Sequence, residues 1–533
     1  MKLLLALCFV LSLAAPSFAQ TYQPFQIARP VGVGTAGTGL HASNRIYRAY
    51  AGIPYQIHAD AVGGRWPYTY SLSGAPTGMT IEPGPCTNIG PRGCTAGTIT
   101  WSNPTTGTTN PITVTIRDAD GRSVTGTWSI NVSTRIGADG FCFLDANNGN
   151  DSSGTGSLAA PFRSIARAYA ACGARSIIYF RAGTYTIDPS IEDGSNPGDC
   201  GRRVLWYEPS RGVTWLAYPG QTPVIDFEST GNIQPCFQMQ GENIWIDGLE
   251  IRNVGSIGFK LNLRSGGYGA VVRNVNAHDL RAGLDGSNSS FFLWTRCDNC
   301  PTWFDTVQNS YFANVLSDGC SLKVYGVQRG IFETSAYSRT TYNEATIALK
   351  GTVPNYTVRA NTFASDVITG VGGNMDTASV PTGGEIYHNL SRASGTNDVT
   401  GTITIGVAKI SSIALTQVYR NTFIGQVTVS RTTSTDGPYY FYNNVIVNST
   451  GGTGGSCARR LSCYYVTDYS RINLQTNNLQ GAPGDGIVDA NGLLQGSYRT
   501  TWIGQRGFEL AGTATSGGTD TTPPAAPQNV QLF

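Results

Sequence analysis

The sequence predicts an all-β chain in two parts, an antiparallel β-sandwich followed by a long coil of stacked parallel strands. Three observations carry this expectation. Charged residues are only 13% of the 533 residues while Gly reaches 66, a composition of turn-rich β structure rather than of helical bundles. Short alternating strands separated by Gly, Pro and Asn run from about residue 20 to 133,. Further on, a strand–Asn–strand unit recurs at intervals of 21 to 35 residues, with one interval of 52,.

The chain opens with "MKLLLALCFVLSLAAPSFAQ". One lysine, an apolar run from Leu3 to Ala15 and the triplet Ser17-Phe18-Ala19 form a secretory leader, with cleavage expected after Ala19,. No later run approaches the ~18 apolar residues of a membrane span. The mature protein, from residue 20, is expected to be secreted from a bacterium, to the extracellular space or the periplasm. A formal net charge of +2 gives no reason to expect nucleic acid or a membrane surface as partner,. Loss of Cys8 leaves 11 of the 12 cysteines in an oxidising compartment,. Cys86 with Cys94 and Cys457 with Cys463 close short loops and are expected as local disulfides,. Cys297 pairs with Cys300 or with Cys320, or the CxxC binds zinc.

Over 20–133 the strands "YQIHADAV", "YTYSLSG", "GTITW", "PITVTIRDADG" and "TGTWSINVS" predict the β-sandwich,. This stretch resembles the Ig-like, cadherin-like modules of bacterial surface proteins. The resemblance implies the fold and almost nothing about chemistry.

Over 137–495 the grammar changes. "FLDANNGNDSSGTGSLAAPF" is a loop leading into one helix over 161–173, with Pro161 at its start and Ile165, Ala166, Tyr169 and Ala170 as its apolar face,. The repeated units carry Asn253, Asn274, Asn309, Asn361, Asn389, Asn421, Asn444 and Asn477. The long interval fits one unit that lacks its Asn, near "QRGIFETSAY". Units this small cannot bury their own apolar faces, so they must stack. Three short strands per turn fit the intervals, with Asn bonding to Asn along the stack and the helix covering the first rung. The loop, the helix, "IWIDGLEIRNV" and the Asn units together resemble a single-stranded right-handed parallel β-helix of the pectate-lyase-like superfamily. That fold hosts lyases, hydrolases, epimerases and adhesins, so activity must be argued from a site. The end, 511–533, is a Pro/Gly/Thr-rich linker or tail,.

Lysine is scarce, and Lys260, Lys323, Lys350 and Lys409 all fall in the coil. Their spacing suggests one column on one sheet, with Lys323 and Lys350 on adjacent rungs roughly 5 Å apart at the backbone. Asp318 and Glu344 precede Lys323 and Lys350 by five and six positions. Two chemistries follow. In β-elimination of an acidic polysaccharide, Lys350 is the base, Arg359 or Lys323 the supporting cation, and Glu344 and Asp318 hold Ca²⁺. In glycoside hydrolysis, Asp318 and Glu344 form a carboxylate pair. "NEATIALKGTVPNYTVRANTF" is similar to the alginate and chondroitin lyase family of this fold. The resemblance sets Lys350 as the base, and Asn361-Thr362-Phe363 matches that family's turn. Glu344 stands alone for two metal-binding glutamates, and Gly370–Asn374 lacks the family's arginine. Trp294 and Trp303 either stack on sugar rings or pack a disulfide-bounded loop over the coil. The expected function is a carbohydrate-active protein holding an acidic polysaccharide in a groove along the coil. The alternative is a non-catalytic adhesin or matrix protein.

Overall fold

A computed structural model gives the fold. It describes residues 25–30 and 45–187, apart from 88, 91–93 and 174. From there to Gly507 it describes the strands and adjoining turns of a coil, with most third-sheet strands given by backbone path alone. The leader and the expected cleavage at Ala19 lie outside the described residues. Among the described residues no helix is long and apolar enough to cross a membrane.

The coil is a parallel β-helix. Among the described residues three sheets of 12, 11 and 12 strands run along it. Each strand pairs in parallel with the strand one coil earlier: Ile177–Phe180 lies between Phe141–Leu144 and Thr214–Ala217 in the first sheet. Gly183–Thr186 pairs with Pro223–Asp226 in the second sheet, and Arg202–Glu208 with Pro235–Gly241 in the third. One hairpin departs from this, where Ser456–Ala458 folds back on Leu461–Tyr464 and brings the segments of Cys457 and Cys463 together. Inside, Ile178, Trp215, Ile246 and Val272, then Phe332, Val358, Ile386, Val418 and Phe441, form one buried column.

The Asn stack exists, and it is narrower than the sequence pattern suggested. Asn361, Asn389, Asn421, Asn444 and Asn478 are buried at one turn. The Asn389 side-chain oxygen accepts from the backbone and side-chain N–H of Asn361, at 3.0 and 3.1 Å. Asn421 serves Asn389 in the same way, Asn444 serves Asn421, and Asn478 serves Asn444. The last member is therefore Asn478 and not Asn477. The unit without Asn lies where expected: Ser335 fills the position and donates its N–H to Asn361 Oδ1 at 3.1 Å.

The other two described asparagines do different work. Asn274 precedes the stack position and has φ +54°, the left-handed conformation that Ala360, His388, Arg420 and Asn443 share at that place, and that Asn tolerates better than most residues. Asn253 has φ +55° at the end of a second-sheet strand, in another turn altogether. Asn309 lies outside the described residues. The strand that aligns with those before the stack is Tyr311–Ala313, so Asn309 precedes it.

The helix is Ile165–Ala171, shorter than expected. Its start is set by Ser164, whose hydroxyl accepts from Arg167 N–H at 3.1 Å, so Pro161 stands before the helix. Ile165 and Ala168 are buried against the coil interior, and Ala170 is exposed. The helix plugs the bore, while the strand edge is met by the preceding loop. Phe143 N–H donates to Gly156 O at 2.9 Å, and Asp145 N–H to Phe162 O at 2.8 Å. A Cys142–Cys172 disulfide, not foreseen, ties the first strand to the helix end, and the expected Cys86–Cys94 bridge is present. At the far end the structure continues past 495 with the helix Gly496–Trp502, and Gly507 N–H donates to Asn443 O at 3.0 Å.

The N-terminal module is built of short, mostly antiparallel strands, as expected. Ser123–Trp128, Ile112–Arg117 and Thr69–Ser73 form one layer, and Tyr55–His58, Thr98–Trp101 and Met79–Ile81 form another.

Replacing Asn421 by Ala leaves the Asn389 donors without their acceptor inside the coil. We expect a loss of about 2–4 kcal/mol, against about 1 kcal/mol for Asn274→Ala, measured by chemical denaturation of both variants beside the parent.

Candidate functional site

A first-sheet strand has two faces, and here both are buried. The outward column runs through Phe143, Tyr179, Leu216, Asp247, Arg273, Ala313, Glu333, Arg359, Tyr387, Tyr419 and Tyr442. The sandwich lies on it. Tyr50 of the sandwich packs edge-on against Phe141 and Phe143 at 5.2 and 5.0 Å, and Trp66 packs against Tyr387 and His388 at 6.3 and 5.0 Å. Arg48 donates to Arg175 O at 2.6 Å. The loop closed by Cys86 and Cys94 brings Gly90 N–H to Ala360 O at 2.8 Å. From the joint onward, Tyr387, Tyr419 and Tyr442 stack on one another at 4.8 and 5.0 Å.

The middle of the column is charged. Arg273 pairs with Asp247 at 2.8 Å and donates to Gln56 of the sandwich at 3.1 Å. Arg359 is 1% exposed and bridges both domains. It pairs with Asp60 of the sandwich and with Glu333 of the coil, at 2.6 Å each. It also donates to the Tyr387 and Tyr68 hydroxyls and to Ala61 O, and lies over the Tyr68 ring. Burial alone would discharge Arg359, but Asp60 and Glu333 outweigh it and hold the guanidinium charged,. Burial pushes the Asp60 carboxyl upward, against the pull of Arg359. His58, 3.8 Å from Glu333, is pressed down to about 3 by burial and is neutral at ordinary pH. A cavity of about 150 Å³ adjoins these groups, lined by residues of both domains that include Gln56, His58, Trp66, Arg273, Asn274 and Glu333.

The residues expected to carry function divide between this joint and the other two sheets. Arg359 is the clear correction. It stands in the first sheet, spent on Asp60 and Glu333, while Lys350 stands in the third, so it is no partner for a catalytic lysine. Lys260, Lys323 and Lys350 all lie on third-sheet strands. Lys260 pairs with Trp294, and the pairing of Thr295 with Val324 sets Trp294 level with Lys323. Lys323 pairs with Ala348, and Lys350 with Tyr325. Lys350 is therefore on the adjacent rung but two positions along, about 8 Å from Lys323 between Cα atoms rather than 5 Å. Asp318 ends a second-sheet strand, two residues before the third-sheet strand Cys320–Tyr325. Lys409, Glu344, Trp303 and Cys300 lie outside the described residues, and Cys297 is described by its backbone strand alone.

The charged joint was not foreseen. Its signal was the residue before the turn, which alternates in sign through Asp247, Arg273, Glu333 and Arg359 with Ala313 interrupting the series. Removing one member of a buried ion-pair set is costly, since the partners stay behind as bare charges. Arg359→Met should lose about 3–5 kcal/mol, read as a lower thermal midpoint and easier proteolysis between the domains. The triple variant Asp60→Asn, Glu333→Gln, Arg359→Met should regain most of that loss.

A family model described as "Putative Ig domain" matches residues 39–133. No curated protein sequence matches the chain. Among solved structures the chain is similar to a rhamnogalacturonan lyase, at 13% identity over 69% of this chain and 99% of that one, TM-score 0.46. It is similar to the Yersinia enterocolitica family 28 exopolygalacturonase, at 10% identity over 82% and 98%, TM-score 0.42. It is also similar to pectate lyase Pel9A, at 13% identity over 74% and 96%, TM-score 0.36. The N-terminal sandwich is thus an Ig-like domain, and it is docked on the first sheet of a parallel β-helix.

Proposed function

We propose that the protein holds an extended acidic polysaccharide along the third sheet of the β-helix. One observation carries this reading: Lys260, Trp294 and Lys323 share a register column on successive rungs, and Lys350 follows on the next rung. These are three of the five lysines in the chain, with an aromatic residue between two of them. Rungs repeat about every 4.8 Å, a step comparable with one pyranose of an extended chain. A polyuronate lying along the coil would therefore meet a new rung at nearly every sugar. The first sheet is not open to such a ligand, because the Ig-like domain covers its outer face.

A catalytic step on this column would be a β-elimination. Lys350 would take the proton α to the uronate carboxylate, with Lys323 as the nearest cation to depress its pKa. Glu344 and Asp318 are the residues proposed to hold Ca²⁺, which would neutralise the substrate carboxylate. The second reading is a rigid extracellular scaffold or adhesin, favoured by the long docked joint between the two domains.

Affinity electrophoresis in gels containing polygalacturonate or alginate tests the binding. The parent chain should be retarded, and salt or the combined change Lys260→Ala, Lys323→Ala, Lys350→Ala should abolish the retardation. Unchanged mobility of the parent in every gel would overturn the reading. The same glycans incubated with Ca²⁺ test cleavage. Ultraviolet absorbance from an unsaturated uronate, lost in Lys350→Ala, marks elimination, and new reducing ends without it mark hydrolysis.

A further inference from the structure

The joint between the domains gathers three groups of metal-binding chemistry. His58 and Asp60 come from two strands of the Ig-like domain, and Glu333 comes from the coil. One donor atom of each lies within 4.8 Å of the others. Arg359 takes Asp60 Oδ1 and Glu333 Oε2. Glu333 Oε1 lies 3.8 Å from His58 Nε2. A second observation is independent of that clustering. Asp60 Oδ2 is buried and meets no hydrogen-bond donor, in a residue that is 1% exposed. An unsatisfied carboxylate oxygen in the interior is costly, and a cation is the group that satisfies it.

We propose that His58, Asp60 and Glu333 form a divalent transition-metal site that clamps the Ig-like domain to the β-helix. One imidazole with two carboxylates suits Zn²⁺ or Mn²⁺, whereas Ca²⁺ takes oxygen ligands. Neutral imidazole is the form whose lone pair binds metals. Metal–donor distances near 2.0–2.2 Å require the three donors to draw together. His58 borders the cavity, so its ring has space to turn, and the same cavity supplies water for the remaining positions. Charge permits the ion. Two carboxylates face one Arg359 guanidinium, and Arg273 is already paired with Asp247. Arg29, opposite Asp60 in its strand pair, is the other nearby cation. Arg359 then fixes both carboxylates from behind, as second ligand shells do.

The test uses the full chain, disulfides intact and free thiols alkylated, stripped of metal by dialysis and titrated calorimetrically with Zn²⁺. We expect one Zn²⁺ per chain and a raised melting temperature. His58→Gln should bind at least tenfold more weakly and lose the thermal shift. His278→Gln, at the surface pair with Glu250, should bind as the parent does. A readout that needs no variant comes from the four histidines of the chain. Mn²⁺ should broaden the His58 ring resonances first in histidine-labelled protein. Absence of binding, binding unchanged in His58→Gln, or broadening confined to other histidines would each overturn the site.

Discussion

A strand that pairs in parallel with the strand one coil below lays its side chains onto columns, and each column must be chemically self-consistent along its whole length. An apolar residue stacks on an apolar one, an amide bonds an amide, and a charge needs its opposite within one rung. Everything distinctive about this molecule follows from that requirement. The inward column is apolar from Ile178 to Phe441. The Asn column succeeds because one amide both donates and accepts, so a single residue type can bond upward, downward and to the backbone at once. The outward column of the first sheet is the unusual one, with charged rungs in its middle and aromatic rungs at its ends.

That outward column explains how two domains become one body. Parallel sheets are stable when both faces are covered, and here the second cover is the Ig-like domain. The aromatic rungs supply area without demanding polar partners. The charged rungs cannot be covered by apolar side chains, and the domain meets them with His58, Asp60 and Gln56. Arg359 is the point where both demands coincide, since its fork reaches a carboxylate on each side while its face lies on Tyr68. The bridge contributes specificity of seating more than raw stability, because desolvating three charges offsets much of their attraction.

The fold was legible in the sequence where local chemistry decides it. Turn-rich composition and strand spacing announced the sandwich, and the regular recurrence of Asn announced the coil. The confusion among Asn positions has a physical cause. Asn is favoured both where amides stack and where the backbone turns left-handed, so Asn274 and Asn421 look alike in one dimension. Unbroken apolar strands such as "FCFL" and "IIYF" carried the sign of a sheet covered on both faces. The cover itself was not visible, because Asp60 and Arg359 meet across 299 positions of sequence. Arg359 was read with Lys350 for the same reason: nine residues apart in the chain, they belong to different sheets. The lysines were expected on one sheet, and the strands of Lys260, Lys323 and Lys350 do share the third, but unequal turn lengths shifted Lys350 by two positions, and counting intervals cannot resolve such a shift.

Solenoids usually gain and lose repeats freely, because each unit touches only its neighbours. The domain seated here grips the stack at Phe143 and again at Tyr387, eight rungs apart, roughly 38 Å at the usual strand spacing. Inserting or deleting a single turn between those grips would carry Arg359 one step away from Asp60. The seated domain thus acts as a gauge of repeat number, and length variation in this lineage should be confined to the turns beyond Tyr387.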